Sequence, residues 1–61
     1  MIFSRYWFIE FSDGEIAGLE FDHEVSSQEA HDLFVDEYCL EFIYCWPAQK
    51  WQIHNAGVDV Y

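Results

Sequence analysis

Positive charge is almost missing from this chain. Arg5 and Lys50 are its only basic residues besides histidine; twelve Asp and Glu oppose them, for a net charge of −10 with histidine neutral. Nucleic acid is held through its phosphates by Lys and Arg, so direct nucleic-acid binding is not expected. Anionic membrane surfaces are disfavoured on the same ground. Long apolar runs are missing as well, and no stretch is long enough to span a bilayer. Met1-Ile2-Phe3-Ser4-Arg5-Tyr6 has no basic segment followed by an apolar run. An intracellular protein with reduced thiols is therefore expected.

The chemistry-bearing patterns are also absent. Glycine is scattered at Gly14, Gly18 and Gly57, and no phosphate-cradling loop, G-x-S-x-G or H-E-x-x-H occurs. So short a chain with a filled core leaves little room for a concave pocket, so catalysis is not expected. Cys39 and Cys45 are the only cysteines, and no C-x-x-C is formed. On one extended strand, six residues separate them by about 20 Å, too far for a disulfide. A reactive thiol needs positive surroundings, which this composition does not supply, so buried, inert thiols are expected. His23, His31 and His54 match no zinc spacing. Asp22-His23 and His31-Asp32 are sequence neighbours, and neighbours do not share a face of a strand or helix. No metal and no cofactor are expected.

What the chain does have is rings. Six Phe, four Tyr and three Trp make 21% of the residues aromatic, and 52% are hydrophobic. A chain this short buries only about 60% of its unfolded surface, and large rings offset that handicap. An acidic disordered tail would carry far fewer. One folded domain over residues 1–61 is expected, despite charge self-repulsion.

The local signals give its elements. Asp13-Gly14 between apolar runs predicts a two-residue hairpin turn joining strands at 2–11 and 15–21. That turn would set Phe11 opposite Ile16, Ile9 opposite Gly18, Phe8 opposite Leu19 and Tyr6 opposite Phe21. Ser26 with Glu29 three residues on is a capping box. It predicts a helix over 27–38 with Ala30, Leu33, Phe34 and Tyr38 as its buried stripe. Alternation from Tyr38 through Leu40, Phe42 and Tyr44 to Trp46 predicts a third strand. Trp46-Pro47-Ala48-Gln49 reads as a turn, 50–54 as a fourth strand, and 58–61 as a short edge strand or a docked segment. The expected fold is α+β: a mainly antiparallel sheet of three to five strands with one helix on a face, in the order β-β-α-β-β.

The acids form rows. Glu29, Asp32 and Asp36 share one helix face, about 5–6 Å apart. Glu20, Asp22 and Glu24 alternate along an extended segment, about 6.6 Å apart. Glu10, Asp13 and Glu15 crowd the hairpin tip. Only Arg5 and Lys50 are expected to form ion pairs, leaving most carboxylates unpaired. Rows at this spacing imitate nucleic-acid phosphates, and a basic groove would attract them through its long-range field. Nearby aromatics would anchor the complex.

Glu10, Glu15, Glu20, Asp22, Glu24, Glu29, Asp32, Asp36, Glu37 and Glu41, set among aromatics, give a chain that resembles small phage-encoded anti-CRISPR proteins. The likeness is one of size, acidity and character over the whole chain, without a shared motif. It implies an inhibitor in the cytoplasm of a bacterial host that blocks a DNA-binding surface. A type I effector complex, at the subunit that reads the motif flanking the target, is one site so implied. No catalytic residue is carried over. Two other functions fit the composition. An immunity protein or antitoxin plugging a basic nuclease would use the same electrostatics. A self-associating structural module, monomer or dimer, would use exposed aromatics such as Trp7, Trp46 and Trp51.

Overall fold

A computed structural model describes residues 1–61. The fold is α+β, with β1 (Ser4–Glu10), β2 (Ile16–Val25), α1 (Ser27–Tyr38), β3 (Tyr44–Ala48) and α2 (Lys50–Asn55). The strands form one antiparallel sheet ordered β2-β1-β3. A helix stands where a fourth strand was expected over 50–54, so the order is β-β-α-β-α, not β-β-α-β-β.

The Asp13-Gly14 turn forms, but it is longer than two residues. Phe11 N–H donates to Glu15 O at 2.9 Å, and Gly14 N–H donates to Phe11 O at 2.9 Å. These bonds enclose Ser12, Asp13 and Gly14. Gly14 takes a φ of 89° while Asp13 does not turn positive, the pattern of a type I turn followed by a left-handed residue. The extra loop residue shifts the register by one. Glu10 faces Ile16, Ile9 faces Ala17, Phe8 faces Gly18, Trp7 faces Leu19 and Tyr6 faces Glu20. A one-residue slip decides which side chains share a face. The observed register sets Trp7 against Leu19, where the expected one would have set it against Glu20.

Helix α1 starts as its capping signal requires: Glu29 N–H donates to Ser26 Oγ at 3.3 Å. Ala30 and Phe34 enter one buried cluster with Trp7, Ile9, Ala17, Leu19, Val25 and Phe42. Leu33 and Tyr38, expected in the stripe, stay largely exposed at its margin. The helix stops at Cys39, which adopts a left-handed φ of 55° and donates its N–H to Val35 O at 3.0 Å. That stop breaks the alternation expected from Tyr38 onward, and β3 begins only at Tyr44.

Pro47 lies inside β3 rather than in a turn. Antiparallel pairs alternate between bonded and non-bonded. With Phe11 and Glu15 bonded, the odd positions of β1 point their backbone groups at β2 and the even ones at β3. Trp7 and Pro47 are then a non-bonded pair, and the N–H that proline lacks would have faced the open edge of the sheet. An edge strand tolerates proline there.

Helix α2 covers the other sheet face. Its Ile53 is buried over Gly18, where an added Cβ would stand 2.9 Å from Ile53 Cγ2. Residues 58–61 dock along the outer edge of β2. Gly18 N–H donates to Asp59 O and Tyr61 N–H to Gly18 O, each at 2.8 Å, around a parallel bridge from Gly18 to Val60. The sheet is thus a middle layer with α1 on one side and α2 on the other.

Candidate partner-binding surface

The histidines, not Arg5 or Lys50, organise the acids. His23 Nδ1 lies 2.6 Å from Asp22 Oδ1, and its Nε2 lies 3.7 Å from Glu29 Oε2. His31 Nδ1 lies 3.4 Å from Asp32 Oδ1, and its Nε2 lies 3.7 Å from Glu41 Oε1. His54 Nε2 lies 3.2 Å from Glu20 Oε2. Each histidine so joins two elements: β2 to α1, α1 to the connection before β3, and α2 to β2. Arg5 and Lys50 form no ion pair within 4.0 Å. Arg5 instead donates from Nε to Phe21 O at 3.1 Å and lies over the Tyr6 ring.

Sequence neighbours meet here, contrary to expectation. Between the pairs Ser4–Val25 and Tyr6–Glu20, residues 21–24 of β2 stand opposite the single residue Arg5. This bulge breaks the regular alternation of side chains, so Asp22 and His23 come together. The hydrogen bond to Asp22 raises the pKa of His23, and the same bond holds the Asp22 carboxyl below its ordinary value. Glu29 on α1 adds to the rise at His23.

The two main acid rows therefore meet at one point, Asp22 and Glu29 on either side of His23, whereas Glu20 faces α2 through His54. Glu20, Asp22 and Glu24 lie on β2, Glu29, Asp32 and Asp36 on α1, and His23 bridges them through Asp22 and Glu29. Glu24 and Asp36 are exposed and have no hydrogen-bonded or ionic partner. Glu10 and Glu15 do not join them. Glu10 is half-buried on the sheet face away from α1, between Ile16 and Tyr44. Glu15 follows the hairpin turn, and its N–H donates to Asp13 Oδ1 at 3.0 Å. Five carboxylates touch a histidine, leaving seven of the twelve with no cationic group within 4.0 Å.

The sequence pattern gave no sign of a hollow between β2 and α1, which has a volume of about 70 Å³. Leu19, Phe21, Leu33, Phe34, Tyr38 and Tyr61 line it, together with Glu20, whose carboxylate lies on His54 of α2, and Glu37. Only the register of β2 and the docking of 58–61 bring these residues together.

The cysteines and tryptophans depart from expectation. Cys39 is exposed, not buried, because it caps α1. Cys45 is half-buried on β3, and burial raises its thiol pKa. Trp7 is no exposed contact residue: it is buried, and its Nε1 donates to Ser4 O at 3.0 Å. Trp46 is half-buried, with ring centroids 5.5 Å from Phe8 and 5.7 Å from Tyr44. Of the three, only Trp51 is exposed, at 64%. No helix is long and apolar enough to cross a membrane. No cluster of three or more His, Cys, Asp or Glu is placed to hold a metal ion. No family model, curated protein or solved structure matches the chain.

Proposed function

We propose that this protein acts by binding: it presents the joined acidic surface of β2 and α1 to a basic, nucleic-acid-binding surface of another protein and blocks it. The observation that carries this reading is the absence of internal neutralisation. Seven carboxylates lack any cationic neighbour, and the other five face histidines, whose ordinary pKa is about 6.5. A field of one sign on a small body speeds encounter with the opposite sign and selects against like-charged partners. Carboxylates supply the charge that phosphates supply on DNA, so a groove that binds one attracts the other.

Reversing Glu29, Asp32 and Asp36 to Lys tests the surface. These side chains lie outside the buried cluster, so the helix should persist by circular dichroism. Retention of a basic partner on the immobilised protein should fall sharply in the triple variant. It should also fall between about 0.1 M and 1 M salt, where the screening length drops from about 10 to 3 Å. Retention that ignores both changes contradicts the proposal.

Self-association is the second reading. β3 is an open edge strand without a charged residue; its first residue, Tyr44, and the preceding Ile43 are exposed. Sedimentation separates the two: a dimer that persists at low salt, without any basic partner, favours the structural module.

A further inference from the structure

His23 stands at the one point where the acids of β2 and those of α1 meet. Its two ring nitrogens face different carboxylates: Nδ1 faces Asp22 of its own strand at 2.6 Å, and Nε2 faces Glu29 of the helix at 3.7 Å. A neutral imidazole carries one N–H and can serve only one of them; the imidazolium donates from both nitrogens. All three side chains are exposed, so solvent protons and a partner's cations reach the same place. On β1, Arg5 stands opposite the bulge and acts on Asp22 by charge alone. Glu24 follows His23 on β2. Asp32, further along α1, is held by Gln28 and His31. Of the groups that face one another here, histidine is the one whose ordinary pKa, about 6.5, lies near neutral pH.

We propose that His23 makes partner binding proton-dependent: protonated, it keeps Asp22 and Glu29 to itself, and neutral, it leaves them to the basic partner. The proposal rests on the binding function above and names its regulation. Proton and partner compete for the same two carboxylates. Linkage is reciprocal, so a bound partner weakens the hold of His23 on its proton as much as that proton weakens the partner. The free ring starts from a raised pKa, chiefly through its hydrogen bond to Asp22, so the change falls near neutral pH. Affinity for a basic partner therefore drops as pH falls from about 8 to about 5.5. Exposed charges couple weakly, so the effect of this one group is a few-fold.

The test uses a blocked hexa-arginine peptide, whose guanidinium groups stay charged throughout this range. Any pH dependence then arises on this chain. The peptide is titrated into the isotope-labelled full chain and into the His23→Gln variant, at about pH 8 and about pH 5.5 and at constant ionic strength, while NMR signals are followed. Glutamine keeps an N–H for Asp22 and does not titrate. His31 and His54 are the same in both proteins, so the comparison isolates His23. In the wild type the shifts should centre on Asp22, His23, Glu29 and Asp32. The ratio of affinity at the higher pH to that at the lower should exceed the variant's ratio by about threefold or more. Should the variant fail to fold, the wild type alone decides: its His23 pKa should fall by about 0.5 or more at saturating peptide, the same threefold. Equal ratios in the two proteins, or a His23 pKa that the peptide leaves unchanged, overturn the proton dependence and leave the binding function standing. A peptide that gives no saturable shifts even at the higher pH removes the acidic surface as a docking face, and the proton dependence with it.

Discussion

Among single residues, His23 is the most informative. It sits between Asp22 on its own strand and Glu29 on the neighbouring helix. Its folded pKa is raised, so its protonation stabilises the fold. That contribution is fully present below the unfolded value of about 6.5 and is lost as pH rises through the higher folded value. Asp22 is lowered, so its contribution is present above its unfolded value and lost as pH falls through the folded one. The two signs leave a window, above the unfolded value of Asp22 near 3.8 and below the unfolded value of His23 near 6.5, where the pair acts fully. Melting temperature should rise on acidification from about pH 8 to about pH 5.5. The His23→Ala variant should show a smaller rise, because it lacks the raised group. An equal rise in both proteins would remove His23 from the account.

Cys39 carries the one left-handed φ outside glycine. That conformation costs a non-glycine residue about 1–2 kcal/mol. The residue is exposed, so nothing packs against its thiol closely enough to require it. Cys39→Gly should stabilise the protein by about 1 kcal/mol in denaturant titration. A loss of stability would show that the side chain has a packing role.

At the scale of elements, the sheet, α2 and the docked segment 58–61 meet at Gly18. Ile53 is β-branched and buried, so it cannot swing away from an added methyl group. Gly18→Ala should cost about 1–3 kcal/mol through overpacking. It should also loosen residues 58–61, whose bonds run to the Gly18 backbone. Hydrogen exchange at Tyr61 would show this: unchanged protection would mean that α2 yields instead.

The elements also divide by how far they could be read from the chain. Ser26 announced the start of α1 correctly, because an N-cap hydroxyl is local chemistry; only this half of the expected capping box forms, the Glu29 carboxylate lying toward His23. Asp13-Gly14 announced the hairpin, but not whether one or two loop residues turn left-handed, and that choice set the register. The strand β3 kept the alternation of Tyr44, Cys45 and Trp46. Its start was hidden because no glycine or proline marks the helix stop at Cys39. Helix α2 was illegible: its box uses Gln49 and Gln52, with Gln49 N–H donating to Gln52 Oε1 at 2.8 Å. Its reason to be a helix, Ile53 against Gly18, is a contact distant in sequence. The acid rows on β2 and α1 were visible as spacings. Their junction through His23 required the bulge opposite Arg5, and the ring-lined hollow required the docked Tyr61.

For the whole molecule, charge is the governing quantity. Protonating all three histidines would move the net charge only from −10 to −7. Above the histidine range, repulsion among the carboxylates dominates the long-range electrostatics. Salt should therefore raise the melting temperature at about pH 8, by screening that repulsion over about 10 Å at 0.1 M. A fall would show that ion pairs outweigh repulsion, and that the carboxylates are not free for a partner. Acids that meet across β2 and α1 and a scarcity of Lys and Arg are the two features on which the proposed binding rests.

Displacement by DNA tests the central claim most directly. A basic DNA-binding protein retained on the immobilised chain would be challenged with duplex DNA at constant ionic strength. The account predicts that duplex DNA releases it competitively, with release tracking the affinity of that protein for DNA. Simultaneous binding of the duplex and the immobilised chain to one protein would contradict it.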